Sequence, residues 1–393
     1  MKHWPTKPLG KFCRTGSGGT PSRSKPEYYA AGTVPWVKSG ELRDSIILDT
    51  AEKISEVATR ETNARPVPKN AVLVAMYGAT VGKTSILGIE ATTNQAVCHI
   101  IPDDQTANFR FVWYAVRSCL DQLLSKRVGG AQPNISQGII RDTVIPVPPL
   151  AEQERIVKLL DEADELRKLR AQADRHTATL IPSLFHEMFG NNTKKPPARV
   201  RLDQIAEVVS GVAKGRKFNG RQPVEVSYPR VANVQAGHLD LSEIRTIQAL
   251  PEEVEELALR KGDVLLTEGG DFDKLGRGAM LDQDLPNCIH QNHVFRVRVE
   301  QSKLNPVYFA KFLLTGEARG YFLGCAKRTT NLASINMTQL RALPVLLPPL
   351  PLQKEFAARV SEIRAVQAEQ SASHRRLDDL FQSMLHRAFR GKL

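Results

Sequence analysis

Apolar residues recur every three or four positions in two long stretches of the chain, 148–190 and 348–389. This spacing predicts an amphipathic helix, because it places the apolar side chains on one face. Each stretch opens on Pro-Pro-Leu, which suits a helix start since proline has no backbone N–H to donate. At about 1.5 Å per residue, such a helix is roughly 60 Å long and must bury its apolar stripe. The simplest solution is that the two helices pack on each other as an antiparallel coiled coil, and two unrelated surface helices are the alternative.

The two stretches also match each other without a gap at a constant offset of 200 positions. Such a constant register indicates a duplicated unit. Two irregularities argue against a perfect zipper between the two helices: Pro182 predicts a kink or a new helical segment, and the middle of the second copy, 367–374, is polar. The identical pairs are Gln153/Gln353, Glu162/Glu362, Arg175/Arg375, Leu180/Leu380, Ser183/Ser383, His186/His386 and Phe189/Phe389.

Outside the helices, short apolar runs between glycine-rich turns predict two strand-rich units. In the first unit, residues 71–77 form a predicted buried strand, 85–89 the next strand and 108–124 a helix. The second unit repeats this order, with a glycine turn at 210–215 and a buried strand followed by glycines at 262–270. The scaffold therefore recurs while most loop residues differ.

The predicted fold class is α+β, with two similar strand-rich globular units joined by two long helices that pack as an antiparallel coiled coil with pseudo-twofold symmetry. We place the first unit at 1–147, the central helix at 148–190, a linker at 191–199, the second unit at 200–346 and the C-terminal helix at 347–393. The linker assignment depends on its Asn, Lys and Pro content.

The charge of the chain indicates the kind of partner. Lysine and arginine exceed aspartate and glutamate by 54 to 42, a formal net charge of +12, which favours a polyanion and most simply nucleic acid. Five cysteines lie far apart without a Cys-x-x-Cys pair, so neither a zinc site nor a disulfide framework is predicted. No stretch is long and apolar enough to span a membrane and the N-terminus does not resemble a signal peptide, so we expect a soluble, cytoplasmic protein.

Three motifs come close to catalytic or metal-binding patterns. Segment 78–84 reads Gly-x-x-x-Gly-Lys-Thr, one residue short of the phosphate-binding loop. Segment 305–308 is similar to the Asn-Pro-Pro-Tyr of adenine-amino methyltransferases but lacks the second proline, and a capped helix start explains it. His290 and His293 lack a third ligand and fit a polar turn better than a metal site. We therefore predict no catalytic residue and no metal site in this chain.

Several motifs together resemble the specificity (S) subunits of type I restriction–modification systems, over essentially the whole chain. The second helix departs from this pattern at 351–354, where Pro-Leu-Gln-Lys replaces Ala-Glu-Gln-Glu. The motifs are Ser17-Gly18-Gly19-Thr20-Pro21, Trp36-Val37-Lys38-Ser39-Gly40, Tyr77-Gly78-Ala79-Thr80-Val81-Gly82-Lys83-Thr84, Gly130-Ala131-Gln132-Pro133-Asn134-Ile135-Ser136, Pro148-Pro149-Leu150-Ala151-Glu152-Gln153-Glu154 and Phe389-Arg390-Gly391-Lys392-Leu393.

The resemblance implies a non-catalytic subunit with two target-recognition domains, each binding one half of an asymmetric bipartite site on double-stranded DNA. It also implies that the two helices act as spacers, which set the gap between the half-sites and dock two methyltransferase (M) subunits. Restriction/motor (R) subunits would attach outside them. No cofactor is expected in this chain, whereas S-adenosylmethionine, ATP and Mg are expected in the partner subunits. The assembled complex would be an adenine methyltransferase and an ATP-dependent endonuclease.

Polar loop residues are the candidate DNA contacts, because Lys and Arg pair with phosphates while Asn, Gln, Ser, Thr and selected Arg read base edges. For each of them the alternative is a side chain that stabilises a turn. In the first unit the candidates are Lys38, Ser39, Tyr77, Lys83, Asn94, Gln95, Gln132 and Asn134. In the second unit they are Lys214, Arg216, Lys217, Asn233, Gln235, Asp271, Lys274, Arg277, Gln291, Asn292, Lys327 and Asn331.

Two other functions stay open at the level of sequence. A free-standing DNA-modifying enzyme is disfavoured by the missing catalytic motifs. A coiled-coil adaptor that binds proteins or RNA is disfavoured by the duplicated polar loops and the shared basic excess.

Overall fold

The computed structural model describes residues 4–125, 134–190, 197–270, 275–328 and 333–393. The chain divides into two compact units. Unit 1 comprises Met1–Gln172 and Ser371–Leu393, and unit 2 comprises Ala173–Gln370. The predicted domain limits were placed at the ends of the two long helices. The boundary between the compact units instead falls inside each helix, after residue 172 and after residue 370.

Unit 1 is mainly a β structure with helices on its surface. Its helices are α1 (Glu56–Glu61), α2 (Phe109–Ser118), α3 (Leu120–Ser125), α4 (Gln137–Arg141) and the first part of α5 (Leu150–Ala178). Its strands are β1 (Thr6–Pro8), β2 (Cys13–Ser17), β3 (Val34–Val37), β4 (Ser45–Ile47), β5 (Lys53–Ile54), β6 (Val72–Ala75), β7 (Thr84–Leu87), β8 (Thr92–Thr93), β9 (Val97–Pro102) and β10 (Val144–Pro146).

The central sheet of unit 1 has the strand order β2-β9-β6-β7-β4, antiparallel except for the parallel pair β4 and β7. A three-stranded sheet, β5-β3-β8, and the antiparallel pair β1-β10 complete the unit. Strand β6 is apolar at every position because both faces of the sheet are covered. Val72 and Val74 pack in one core cluster with Phe111 of α2, whereas Leu73 and Ala75 pack in a second cluster.

Unit 2 repeats this plan. Its strand order β12-β18-β15-β17 corresponds to β2-β9-β6-β7, and the antiparallel pair β11-β21 corresponds to β1-β10. Its strands are β11 (Ala198–Arg201), β12 (Ala206–Ser210), β13 (Val224–Tyr228), β14 (Arg245–Ala249), β15 (Val264–Thr267), β16 (Gly269–Gly270), β17 (Gly278–Met280), β18 (Val294–Val299), β19 (Lys327–Arg328), β20 (Ala333–Ser334) and β21 (Pro344–Leu347). Its helices are α6 (Leu180–Phe189), α7 (Pro251–Leu257), α8 (Pro306–Phe312), α9 (Gly316–Cys325), α10 (Met337–Arg341) and the first part of α11 (Leu350–Ala388). The last part of α5 also belongs to unit 2, and the last part of α11 belongs to unit 1.

The predicted break near Pro182 is confirmed, because α5 ends at Ala178 and α6 begins at Leu180. Pro182 has no N–H to donate to the carbonyl of Ala178, four residues earlier, and its ring would crowd that carbonyl. Helix α11 has a proline only in its first turn, Pro351, where no intrahelical N–H bond is lost, so the helix continues from Leu350 to Ala388.

The two long helices run antiparallel within each unit, as predicted. In unit 1, Arg167 Nε donates to Asp378 Oδ1 at 2.6 Å and Arg155 Nη2 donates to the Leu393 backbone oxygen at 3.0 Å. The residue number therefore rises along α5 while it falls along α11. In unit 2, Thr177 Oγ1 donates to Gln370 Oε1 at 2.7 Å, and the rings of Phe189 and Phe356 lie 5.3 Å apart.

The helices supply part of the core of each unit, with matching contacts. In unit 1, Phe381 and Leu385 are buried in the main cluster, and Phe389 lies 5.1 Å from the ring of Phe111 on α2. In unit 2, Phe189 lies 4.8 Å from the ring of Tyr308 on α8. Phe189 and Phe389 are one of the pairs that the sequence repeat identifies.

A buried glutamine fixes the start of each long helix. In unit 1, Gln153 Oε1 accepts from the Asn108 N–H at 2.9 Å, while its Nε2 donates to the backbone oxygens of Thr106 at 3.0 Å and Pro148 at 2.8 Å. In unit 2, Gln353 bonds in the same way to Asn305, Lys303 and Pro348. Both glutamines are fully buried. Among the residues described, no helix combines the length and apolar character that a membrane span requires.

Candidate nucleic-acid interface

A glycine turn in unit 1 lies against the strand that precedes two candidate residues, Asn94 and Gln95. The N–H of Gly19 donates to the carbonyl oxygen of Thr93 at 3.0 Å. A Cβ added at Gly18 would overlap that same carbonyl group, so the backbones approach closely only because residue 18 is glycine.

Unit 2 contains the same close approach with different side chains. The N–H of Val212 donates to the carbonyl oxygen of His290 at 3.0 Å, and a Cβ at Gly211 would overlap that oxygen. The candidates Gln291 and Asn292 follow directly, and the Asn292 N–H donates to the Val212 carbonyl at 3.0 Å. The predicted correspondence between the glycine turns is therefore seen in the backbone hydrogen bonds.

The structure brings most unit 1 candidates together beside this turn. The Asn94 N–H donates to the backbone oxygen of Val37, the residue before Lys38, at 2.9 Å. Tyr77 Oη donates to the backbone oxygen of Gln95 at 2.6 Å. Tyr77 also pairs with Asn134 in an isolated antiparallel bridge. Ser39 begins a single 3-10 turn directly after Lys38, and Thr20 Oγ1 donates to Gln95 Oε1.

Lys38 belongs to a cationic and aromatic cluster that includes Arg23, a residue that the sequence analysis missed. Arg23 lies 4.0 Å above the ring of Tyr29 and donates through Nη2 to Glu52 Oε2 at 2.8 Å. Lys38 Nζ donates to the same oxygen at 3.1 Å and lies 5.8 Å from the ring of Trp36. The hydrogen bond from Arg23 is the main reason that the pKa of Glu52 is lowered to about 2. Two cations thus share one carboxylate, which leaves the cluster with one net positive charge.

The only hint of this cluster in the sequence is the position of Arg23, which directly follows the glycine turn that leads to Trp36. A sequence pattern does not reveal that Arg23 and Glu52, far apart in the chain, lie on the same aromatic surface. Arg23 joins the candidate residues because its side chain is 61% exposed and its orientation is fixed by two partners.

Lys83 and Arg277 occupy equivalent positions in the two units. The Lys83 carbonyl accepts from the Ala75 N–H at 2.8 Å, and the Arg277 carbonyl accepts from the Thr267 N–H at 2.9 Å. Lys83 Nζ lies 3.6 Å from Asp44 Oδ2. In unit 2, Arg277 Nη1 donates to Oε1 of the candidate Gln235 at 2.7 Å, and Gln235 Nε2 donates to the backbone oxygen of Ala232 at the same distance.

Three cationic candidates follow the glycine turn of unit 2. Arg216 forms a bidentate pair of hydrogen bonds with the Glu253 carboxylate, and these bonds lower the pKa of Glu253. Lys214 and Lys217 are exposed and form no ion pair with another described residue. Lys327, in β19, is also exposed.

Asn233 is corrected from a candidate DNA contact to a structural residue. Only 4% of it is exposed. Its Oδ1 accepts from the Arg230 N–H at 2.7 Å, and its Nδ2 donates to the backbone oxygens of Asp240 at 2.6 Å and Glu243 at 3.0 Å. All of its donor hydrogens therefore bond within the loop 230–243. The candidates Gln132, Asp271, Lys274 and Asn331 lie outside the described residues.

His290 and the cysteines Cys13 and Cys98 are buried in structural surroundings. His290 is fully buried, and its Nδ1 lies 2.7 Å from the Val294 backbone oxygen. Burial lowers the pKa of His290 to about 4, so its ring is neutral at physiological pH. Burial raises the pKa of the Cys13 and Cys98 thiols to about 12, so the nucleophilic thiolate is scarce. In the described part of the chain, no three His, Cys, Asp or Glu side chains are grouped to hold a metal ion.

Comparison with known proteins gives one family. Residues 1–174 and 198–372 match the "Type I restriction modification DNA specificity domain". The chain is 24% identical over 398 residues to the Type I restriction enzyme EcoKI specificity subunit of Escherichia coli (strain K12), an alignment that covers 92% of this chain and 82% of that one.

Two solved structures share the fold. One, from work described as "Structural basis underlying complex assembly and conformational transition of the type I R-M system", has a TM-score of 0.66 at 19% identity, covering 99% of this chain and 98% of that chain. The S subunit of the type I restriction–modification system from M. genitalium has a TM-score of 0.56 at 14% identity, with coverage of 98% and 96%. The two matched segments include both glycine turns, and together they extend over most of the chain. The chain therefore belongs to the type I restriction–modification DNA specificity family, and it is a DNA-recognition subunit rather than an enzyme.

Proposed function

We propose that each unit reads one half of an asymmetric, bipartite DNA site through the polar loops around its glycine turn. The observation that carries this proposal is that the two glycine turns share one backbone arrangement but are flanked by different side chains. In unit 1 the segment that faces the glycine turn is Thr93-Asn94-Gln95. In unit 2 the equivalent segment is His290-Gln291-Asn292. Two sites with one scaffold and unlike polar groups are suited to two unlike base sequences.

The charges of these loops support contacts with phosphates as well as bases. Lys214 and Lys217 are exposed near the turn of unit 2, and the cluster of Arg23 and Lys38 lies near the turn of unit 1. Cations at the edges of a reading surface set affinity and orientation, while amide side chains distinguish the bases.

The long helices are the proposed spacers. In this proposal α5, α6 and α11 fix the gap between the two half-sites and dock two methyltransferase subunits, with restriction/motor subunits attached outside them. The match to specificity subunits supports assembly with other subunits of a type I complex. S-adenosylmethionine, ATP and Mg would then be bound by those partners, and the complex would act on DNA in the cytoplasm.

Exchange of one recognition unit tests this function directly. Residues 1–147 are replaced by the equivalent segment of another family member, and methyladenine is mapped at base resolution in DNA modified by the assembled complex. We expect one half-site to change while the other half-site and the gap stay the same. The donor segment must keep aromatic residues at positions 111 and 114, because Phe389 and Phe381 of the retained helix pack against Phe111 and Tyr114.

Two results would contradict the proposal. A change in both half-sites, or in neither, would show that the units do not read independently. Methylation of DNA by the purified chain without its partners would instead support a free-standing modifying enzyme.

A further inference from the structure

Unit 2 contains a cavity of about 740 Å³ between α6, the end of α8 and the loop 236–238. Aromatic rings of Phe185, Phe189 and Phe312 line part of it, and Lys311 lines another part. Its volume lies in the range of protein pockets that bind a small molecule, and it is large enough to receive a few side chains of a partner protein.

The cavity is lined by one lysine, Lys311, and one carboxylate, Glu317, and Arg199 pairs with that carboxylate at 2.7 Å. Neither Lys311 nor the nearby Arg364 forms an ion pair with another described residue. Burial, together with the charge of Arg364, lowers the pKa of Lys311 to about 8. A partly desolvated ammonium group beside a guanidinium group is unfavourable unless an anion compensates it.

The equivalent place in unit 1 contains carboxylates from the chain itself. The two helix caps Asn108 and Asn305 align α2 with α8, so Tyr114 corresponds to Lys311. In the same way, Gln153 and Gln353 align α5 with α11. The counterpart of Ser361 is then Asp161, and the counterpart of Arg364 is Asp164.

These unit 1 groups neutralise one another. Tyr114 Oη donates to Asp161 Oδ1 at 2.7 Å, and Arg110 pairs with the other oxygen of Asp161. Asp164 pairs with Arg167 at 3.1 Å. Both carboxylates at this place in unit 1, Asp161 and Asp164, therefore have cationic partners within the chain.

Unit 1 also fills the space that unit 2 leaves open. Arg117 lies 4.6 Å from the ring of Trp113 and 5.1 Å from the ring of Phe381. The counterpart of Arg117 is Leu314, which lines the cavity and is 44% exposed. Duplication thus provides an internal comparison. One copy is closed by acids and a stacked arginine, whereas the other is open and has a lysine, Lys311, with no acidic partner among the described residues.

We propose that this cavity of unit 2 receives a carboxylate side chain, next to an apolar residue, from a protein subunit that assembles with the chain. Charge complementarity with Lys311, whose neighbour Arg364 adds to the positive charge, selects an acid, and the walls formed by Phe185 and Phe312 select the apolar neighbour. Unit 1 has a related combination internally, because the partners of its two acids contact Phe381. Tyr114, the donor to Asp161, lies 6.2 Å from the Phe381 ring, and Arg167, the partner of Asp164, lies 4.5 Å from it. The inference rests on the proposed function, because it needs the chain to dock a partner such as the methyltransferase subunit.

Chemical labelling of the unmodified protein tests the site without any substitution. Lysines are acetylated at pH 8 in the full-length chain, with and without its methyltransferase subunit, and each lysine is quantified by mass spectrometry. We expect Lys311 to react when the chain is alone and to be protected in the complex. Lys261, an exposed lysine in the same unit, serves as the control and should react equally in both samples.

Charge reversal provides the second measurement. We expect Lys311→Glu to weaken binding of the methyltransferase subunit by about tenfold or more, since it places a second acid against the incoming carboxylate. Lys311→Arg should retain binding, and Lys261→Glu, the matched control, should leave it unchanged. If Lys311→Glu does not fold, the labelling of the unmodified chain decides the question.

The outcomes separate this inference from the proposed function. Unchanged partner affinity for Lys311→Glu, or equal labelling of Lys311 with and without the partner, would overturn the site while the two half-sites were still read. Protection of Lys311 by duplex DNA alone would assign the cavity to a phosphate group and also overturn it. Loss of half-site recognition in the unit exchange would contradict the proposed function itself.

Discussion

The two glycine turns separate what the backbone requires from what the side chains can vary. Gly18 and Gly211 are required, because any Cβ there would overlap a carbonyl group. The residues that carry those carbonyl groups, Thr93 and His290, differ although both are fully buried. The side chain at this position is therefore free to change between units, provided that it is buried without a charge.

His290 gives a prediction about acid stability. Its folded-state pKa of about 4 lies below the ordinary value of 6.5, because burial disfavours the charged ring. Between these values the unfolded chain binds a proton that the folded unit does not, so the stability of unit 2 falls as the pH decreases from 6.5 to 4. His290→Thr introduces the residue that unit 1 has at this position. We expect it to reduce the acid-induced loss in the free energy of unfolding of unit 2 by up to roughly 3 kcal/mol.

The measurement is hydrogen exchange of the core amides in β12, β15 and β18 at several pH values. His293→Thr makes the same substitution at a neighbouring, exposed histidine and should retain the acid dependence that His290 causes. An equally steep dependence in His290→Thr would show that other groups dominate.

Residue roles were the least predictable part of the chain. Asn233 was expected to contact DNA because it is polar and lies in a loop, but its three hydrogen bonds hold that loop together. Arg23 was missed because its importance depends on stacking with Tyr29 and on Glu52, which only the folded chain brings close. The remaining candidate contacts stay predictions.

At the scale of elements, the start of each long helix depends on one buried amide. We expect Gln153→Leu to destabilise unit 1 and Gln353→Leu to destabilise unit 2, by about 1–3 kcal/mol each, because each change leaves buried backbone groups without a partner. Local hydrogen exchange in each unit is the measurement. Gln122→Leu changes an exposed glutamine in α3 and is the matched control. A loss in both units from either single substitution would contradict the local role of the amide.

The elements themselves were largely predictable. The apolar period and the constant offset predicted both long helices, and Pro182 predicted the break that occurs at Thr179. Buried strands such as β6 were evident from their composition. Sheet pairing was not predictable, because the parallel contact between β4 and β7 depends on residues about forty positions apart and on no local signal.

At the scale of the whole molecule, the net charge of +12 gives a testable salt dependence. If Lys214 and Lys217 each pair with a phosphate, Lys214→Ala with Lys217→Ala should reduce the slope of log affinity against log salt by about 2. The loss should be similar for cognate and unrelated duplexes, because phosphates carry no sequence information. Fluorescence anisotropy of the assembled complex on labelled duplexes, between low and moderate salt, is the measurement. Lys261→Ala should leave the slope unchanged, and an unaltered slope in the double variant would exclude these lysines from phosphate contacts.

The family was predictable from the sequence because its motifs extend along the whole chain. The division into compact units was not, since it falls inside α5 and α11, where the helical pattern continues without a signal. Only the contacts of the folded chain reveal that Phe381 belongs with residues before position 172 and Phe356 with residues after it.

This division has a consequence for biosynthesis. Unit 1 takes Phe381, Leu385 and Ala388 into its core, although ribosomes produce them after all of unit 2. The earlier unit therefore completes its packing only after the later one has been translated. A premature stop codon anywhere between 173 and 380 would deprive unit 1 of these side chains, although its N-terminal segment 1–172 would still be translated in full.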